Sequence, residues 1–141
     1  MRKLDSEVKF IEYLSQFNLG EDVMEQFRQD FCKGMNGDTD SLIGIASFFH
    51  EAMMYKNAYD FYKLAANYQH PEALYMLGNY AYEGLVENES NRKAFLYYEH
   101  AAGLGHADAM NNLADMFLNG EGTGVDEKLA LYGLKRLQRK M

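Results

Sequence analysis

The chain has 141 residues, 21 acidic against 14 basic for a net charge of −7, and a single cysteine, Cys32. That balance excludes a disulfide-stapled fold and argues against nucleic acid as a partner, because an acidic body repels phosphates. No stretch approaches the ~18 apolar residues of a membrane span, and Asp5, Glu7, Lys9 and Glu12 interrupt the apolar run that a signal peptide needs, so a reducing, cytoplasmic setting without membrane insertion is expected.

One proline, Pro71, and apolar residues recurring at three and four predict an all-α protein. In chain order, Leu4, Val8, Ile11, Leu14 and Phe17 form one apolar face, and Val23, Phe27 and Phe31 form a second. The second face ends at Gly34, with Asn36-Gly37 as the turn. This helix pair, residues 1–37, is expected to cap a stack, since a stack must cover its terminal apolar face. Cys32 lies on that second face with Lys33 as its cationic neighbour and reads as a buried structural thiol.

A helix over "SLIGIASFFHE" (41–51) follows, then a second helix through Ala58. The phrase "FYKLAANYQHPEAL" (61–74) returns as "YYEHAAGLGHADAM" (97–110), so that Tyr62 matches Tyr98, Ala65 matches Ala101, and His70 matches His106. A period of about 36 residues marks a solenoid of helix pairs. The helices "EALYMLGNYAYEG" (72–84) and "DAMNNLADMFLNG" (108–120) superpose in the same register, each closed by a glycine cap, Gly84 or Gly120. In the earlier unit the first connection is shorter, and Leu42, Ile45 and Ala46 fall on Leu74, Leu77 and Gly78. Small residues (Ala46, Gly78, Ala114, Ala65, Ala101) stand where two backbones must approach. His70 and His106 fall in the turns between units and read as structural.

These residues carry a family resemblance. Leu77-Gly78, Tyr80 or Tyr82, Gly84, Lys93-Ala94, Tyr97-Tyr98, Ala101-Ala102 and Gly105 closely resemble the Sel-one-like repeat, a longer-looped relative of the tetratricopeptide repeat. Residues 71–106 match it well. Residues 107–141 match less well, with Ala114 in the glycine place and Leu129 in an alanine place, and residues 38–70 have the shorter turn of a tetratricopeptide unit. The implied fold is a right-handed α-α superhelix of about eight helices. It is a single domain: a capping pair (1–37), repeat 1 (38–70), repeat 2 (71–106), and repeat 3 (107–141) with a basic C-terminal capping helix.

Motifs that could carry chemistry fail on their spacing. "HEAMM" (50–54) has Met54 where a zinc-protease helix needs its second histidine. The run Gly120-Glu121-Gly122-Thr123-Gly124 follows a helix instead of a strand and lacks the P-loop lysine, so it reads as a turn, with Asp126 as the next helix cap matching Asn91. Asn88-Glu89-Ser90 matches a glycosylation sequon but reads as a loop. No metal, cofactor or catalytic residue is expected, and a hydrolase or metal enzyme is the weaker alternative.

Charge separates the chain into two parts. Residues 127–141 carry net +4, leaving −11 on the first 126, and the leucines among those cations suit a terminal amphipathic helix. The resemblance to tetratricopeptide stacks implies that the first helix of each unit lines a concave groove. The residues facing it would be Ser47, His50 and Glu51, then Tyr75, Asn79, Tyr82 and Glu83, then Asn111, Asp115, Leu118 and Asn119. Tyrosines and carboxylates there suit a basic protein or peptide partner. The expected role is a non-catalytic adaptor or scaffold. The alternative is a bacterial immunity protein neutralising a basic toxin.

Overall fold

Short turns punctuate a chain of good helix formers, and they decide where each helix starts and stops. The computed structural model describes residues 3–121, with side chains from Val8 onward. Among these residues there are seven α-helices and no strand. They are α1 (Lys3–Leu14), followed by a 3-10 turn at Ser15–Phe17, α2 (Glu21–Met35), α3 (Thr39–Glu51), α4 (Tyr55–Asn67), α5 (Pro71–Glu83), α6 (Asn91–Gly103) and α7 (Ala107–Asn119). Each helix packs chiefly on its neighbours in sequence, from α1 on α2 to α6 on α7, which is the solenoid arrangement. The expected C-terminal helix, its cap Asp126, and the side chain of Leu4 lie outside what is described.

The repeated helices α3 to α7 are each 13 residues long, or about 20 Å. Their caps follow from local chemistry. Pro71 opens α5, where its missing N–H would have had no partner anyway. Gly84 closes α5 in the left-handed region at φ 68° and donates its N–H to the Tyr80 carbonyl at 2.9 Å. Gly120 ends α7 in the same way at φ 69°. The cap of α6 is Ser90, which accepts from the Lys93 N–H at 3.1 Å. Asn91, expected as that cap, is the first helical residue instead, because a short hydroxyl directly before the helix reaches the orphan N–H groups better.

The first hydrophobic cluster is built from rings. Phe10, Leu14, Phe27, Phe31, Leu42, Ile45, Phe49 and Phe61 are all buried there. Phe10 stacks on Phe31 with centroids 4.4 Å apart, and Phe49, fully buried, touches the rings of Phe17, Phe27 and Phe61. The faces expected for α1 and α2 are partly wrong. Val8 is 49% exposed and Val23 41%, whereas Phe10 and Leu14, four residues apart and so on one face, point inward. Burying a phenyl ring gains more than burying a valine, and that difference sets the rotation of α1.

Gly34 does not end α2. It is buried within the helix, where an added Cβ would come within 2.6 Å of the Leu42 side chain, so its role is to let α3 approach. Cys32 is half-buried instead of buried.

The second cluster is built from small residues and two methionines: Ala94, Ala101, Ala102, Ala109, Met110 and Met116, with Leu74 and Tyr98. Ala46, Ala65, Ala101 and Ala114 are at most 1% exposed, as the close approach of backbones requires. At Gly78 a Cβ would lie 2.6 Å from the Tyr98 ring, which crosses over the glycine from α6.

Candidate protein-binding groove

The site is best built from its floor. Tyr98 enters from α6, is 3% exposed, and donates its hydroxyl to Asn79 Oδ1 at 2.5 Å, with the side chain of Asn112 on α7 near the same hydroxyl. One period earlier, Tyr62 on α4 is 2% exposed and has the Ser47 side chain of α3 near its hydroxyl. A second-helix tyrosine thus ends against a polar residue of the first-helix face in both units, the kind of neighbour a buried hydroxyl needs. Burial is the main cause that raises both phenol pKa values, and Tyr98 is pushed well above the usual 10.

Above that floor, α5 and α7 enclose an open cavity of about 310 Å³. Five of the expected groove residues line it: Asn79, Tyr82, Glu83, Asp115 and Asn119. Tyr82, 39% exposed, donates its hydroxyl to Glu121 Oε2 at 2.6 Å, and Asn119 Nδ2 donates to Glu121 Oε1 at 3.3 Å. The hydrogen bond to Glu121 is the main cause that raises the Tyr82 pKa, and the nearby carboxylate adds to it, because ionisation would set a phenolate against that charge. Three carboxylates, those of Glu83, Asp115 and Glu121, face this cavity, with no Lys or Arg in its lining among the described residues.

The other expected groove residues are placed differently. Ser47 lies near the Tyr62 hydroxyl. His50 stacks on Tyr80 at 5.6 Å, with its Nδ1 2.7 Å from the Tyr80 hydroxyl. Tyr75 stacks on His106 at 4.4 Å. Glu51, Asn111 and Leu118 are exposed and do not line the cavity.

The two turn histidines act alike across units. His106 donates Nε2–H to Glu72 at 2.7 Å, and its Nδ1 accepts from the Ala109 N–H at 3.1 Å, so it caps α7 as well. His70 faces Asp40 at 2.8 Å through Nε2, but its Nδ1 is buried without such a bond. Each histidine therefore ties the turn that closes its unit to the acidic residue near the start of that unit's first helix.

Two parts of the site were missed by reading the sequence. In the sequence Glu121 reads as a turn residue, and Asn112 aligns with Met76, off the stripe of Tyr75 and Asn79, so the repeat pattern does not single it out. Among the described residues no group of His, Cys, Asp and Glu is arranged to hold a metal, and no helix is long and apolar enough to cross a membrane.

Stacked antiparallel pairs with tyrosines crossing small residues define a helical-repeat protein. Residues 71–106 and 107–132 match the family model of the Sel1 repeat, so this part of the chain is built of Sel1-like repeats. A Sel1 repeat protein from Oxalobacter formigenes shares 20% identity and a TM-score of 0.70 over 77% of this chain and 86% of that one. A protective antigen present in uropathogenic Escherichia coli strains, which displays an SLR fold, shares 21% identity and a TM-score of 0.74 over 81% of this chain. The match spans 25% of the length of that antigen. No curated protein matches the sequence. At these identities the likeness is one of fold. The Sel1 repeat itself suggests a protein–protein interaction scaffold, and proteins built from it are generally non-catalytic.

Proposed function

We propose that this chain is a cytoplasmic, non-catalytic scaffold that grips a basic protein or peptide along the first-helix face, with the cavity between α5 and α7 at its centre. The observation that carries this reading is the meeting of Glu83, Asp115 and Glu121 around the exposed ring of Tyr82, with no Lys or Arg in the lining among the described residues. A partner lysine or arginine would find a carboxylate there, and the ring supplies apolar area that is desolvated on contact. Ser47, His50, Glu51 and Tyr75 would extend the surface towards the N-terminal end, and Asn111 and Leu118 towards the other. In this reading residues 1–37 cap the stack, and 38–70, 71–106 and 107–141 are its units.

The test uses the partner recovered with the protein from its native host. Tyr82→Ala is expected to weaken binding by about 2 kcal/mol in calorimetry while leaving the melting temperature near that of the parent. Glu83→Lys is expected to slow association, with a loss that shrinks as salt rises. A Tyr82→Ala variant that binds like the parent would rule the groove out.

A further inference from the structure

On the far side of α5 lies a second concavity, of about 390 Å³, walled by α4, α6 and the connection that runs from Gly84 to Ser90. Its chemistry is the reverse of the groove. The walls are apolar and aromatic, from Leu77, Val86, Leu96, Tyr59 and Tyr97. Leu96 is left 50% exposed there, a leucine that water covers at a cost.

Three basic side chains, Lys63, Lys93 and His100, share the lining with one carboxylate, Glu87. Glu87 is already engaged: Lys93 Nζ donates to it at 3.0 Å and the Tyr59 hydroxyl donates at 3.3 Å. Lys63 has no carboxylate in an ion pair among the described residues, and its ammonium sits 5.4 Å from the Tyr59 ring. In a chain of net charge −7, this is a local excess of positive charge set over apolar walls.

We infer that this cleft is a docking site for an acidic peptide segment that inserts one large apolar side chain between Tyr59, Leu96 and Tyr97 and presents its adjacent carboxylate to Lys63. The volume lies at the low end of the about 300 to 1,000 Å³ usual for ligand sites, which suits a single anchoring residue with its backbone left at the open side. The sign of the charge selects the partner. The Lys63 ammonium, without an ion-pair partner among the described residues, attracts one carboxylate, while Glu87 in the wall opposes a ligand of higher negative charge. Because the cleft and the groove use different faces of α5, with Leu77 and Ala81 on one and Asn79 and Glu83 on the other, occupation of one leaves the other open.

Two probes test this by amide chemical shifts in the full chain: acetyl-Phe-Glu-amide, and the charge-reversed acetyl-Phe-Lys-amide. The acidic probe is expected to shift residues 59–63 and 84–100 and to bind at least about threefold more tightly than the basic one, as a partly exposed pair allows. Lys63→Glu should invert that preference, and Leu96→Glu, which alters a half-exposed side chain, should weaken the acidic probe about tenfold or more. Both variants should melt with the parent, and unchanged binding in both would overturn the proposal. So would shifts that gather along α5 and α7 on the groove side, equal binding of the two probes, or no shift at millimolar concentration. Failure here leaves the scaffold reading of the groove untouched, since that rests on a basic partner at another face.

Discussion

The two hydrophobic clusters solve the same packing problem with opposite materials. From α1 to α4 the interior is filled by phenylalanine, with Phe49 meeting Phe17, Phe27 and Phe61. From α5 to α7 it is filled by the backbone itself, because alanines and Gly78 let helices close together under the Tyr98 ring. A ring core accepts irregular helices such as α1, whereas a small-residue core fixes the distance between helices and so requires a small residue, glycine or alanine, at the same place in every unit. The repeat is therefore strict at the small positions and loose at the large ones.

The largest expected effect breaks the ring side. Phe49→Ala leaves a cavity among five other rings, those of Tyr13, Phe17, Phe27, Phe48 and Phe61, and should cost about 3–5 kcal/mol in urea unfolding. Gly78→Leu breaks the other side by overpacking. With Cβ alone already 2.6 Å from Tyr98, the rest of the side chain forces the α5–α6 crossing apart, at a cost of about 1–3 kcal/mol. Stability equal to the parent would show that the crossing is softer than the small-residue core implies.

Tyr98→Phe sharpens the comparison. It removes the bond to Asn79 and leaves that buried-side acceptor short of a partner, for about 1–2 kcal/mol. The same hydroxyl predicts a pH dependence. Tyr80 and Tyr98 have folded-state pKa values raised above the ordinary 10, chiefly by burial. Above pH 10 the unfolded chain releases phenolic protons that the folded one keeps, so stability is full below pH 10 and falls as pH rises further. Melting temperature followed from pH 8 to pH 12 should fall beyond pH 10, and less steeply in Tyr98→Phe.

The smallest effect has the opposite sign. Gln69 sits at φ 63°, where the aligned residue of the next unit is Gly105 at φ 96°. Gln69→Gly should stabilise by about 0.5–1 kcal/mol, relieving a left-handed conformation that glycine adopts freely. No rise in the urea midpoint would mean that the Gln69 side chain gains something where it stands.

Most of the architecture was legible because the strict positions repeat. Ala65 and Ala101, Tyr62 and Tyr98, and the small residues Ala46, Gly78 and Ala114 recur at aligned positions, and each favours one geometry. The N-terminal faces were read less well. Val8 and Val23 satisfy a helical period as well as Phe10 does, and only the tertiary contest for burial decides between them. The groove was half legible. The stripe of Asn79, Tyr82, Glu83, Asp115 and Asn119 does converge. His50 and Tyr75 were drawn off by the neighbouring rings of Tyr80 and His106, contacts with partners 30 and 31 positions away that no local pattern encodes. The second-helix cleft was invisible because it depends on where the α5–α6 connection folds back, through the Ser90 N–H to the Ala81 carbonyl at 2.7 Å.

The histidine–carboxylate ties have a consequence for how such a chain lengthens. A stretch of about 36 residues counted from one turn histidine, such as 70–105, contains a histidine, His70, that pairs with the acidic residue of the stretch before it, and an acidic residue, Glu72, that accepts from the histidine of the stretch after it. Asp40 and His70 hold this relation, and so do Glu72 and His106, while Asp108 stands exposed in the next aligned place. A tandem duplication in the gene therefore carries both halves of the fastening at once, and each inserted copy arrives already fitted at both edges. No compensating change elsewhere is needed for the joint to close, so growth by whole units is open to this chain while growth by a fraction of one is not.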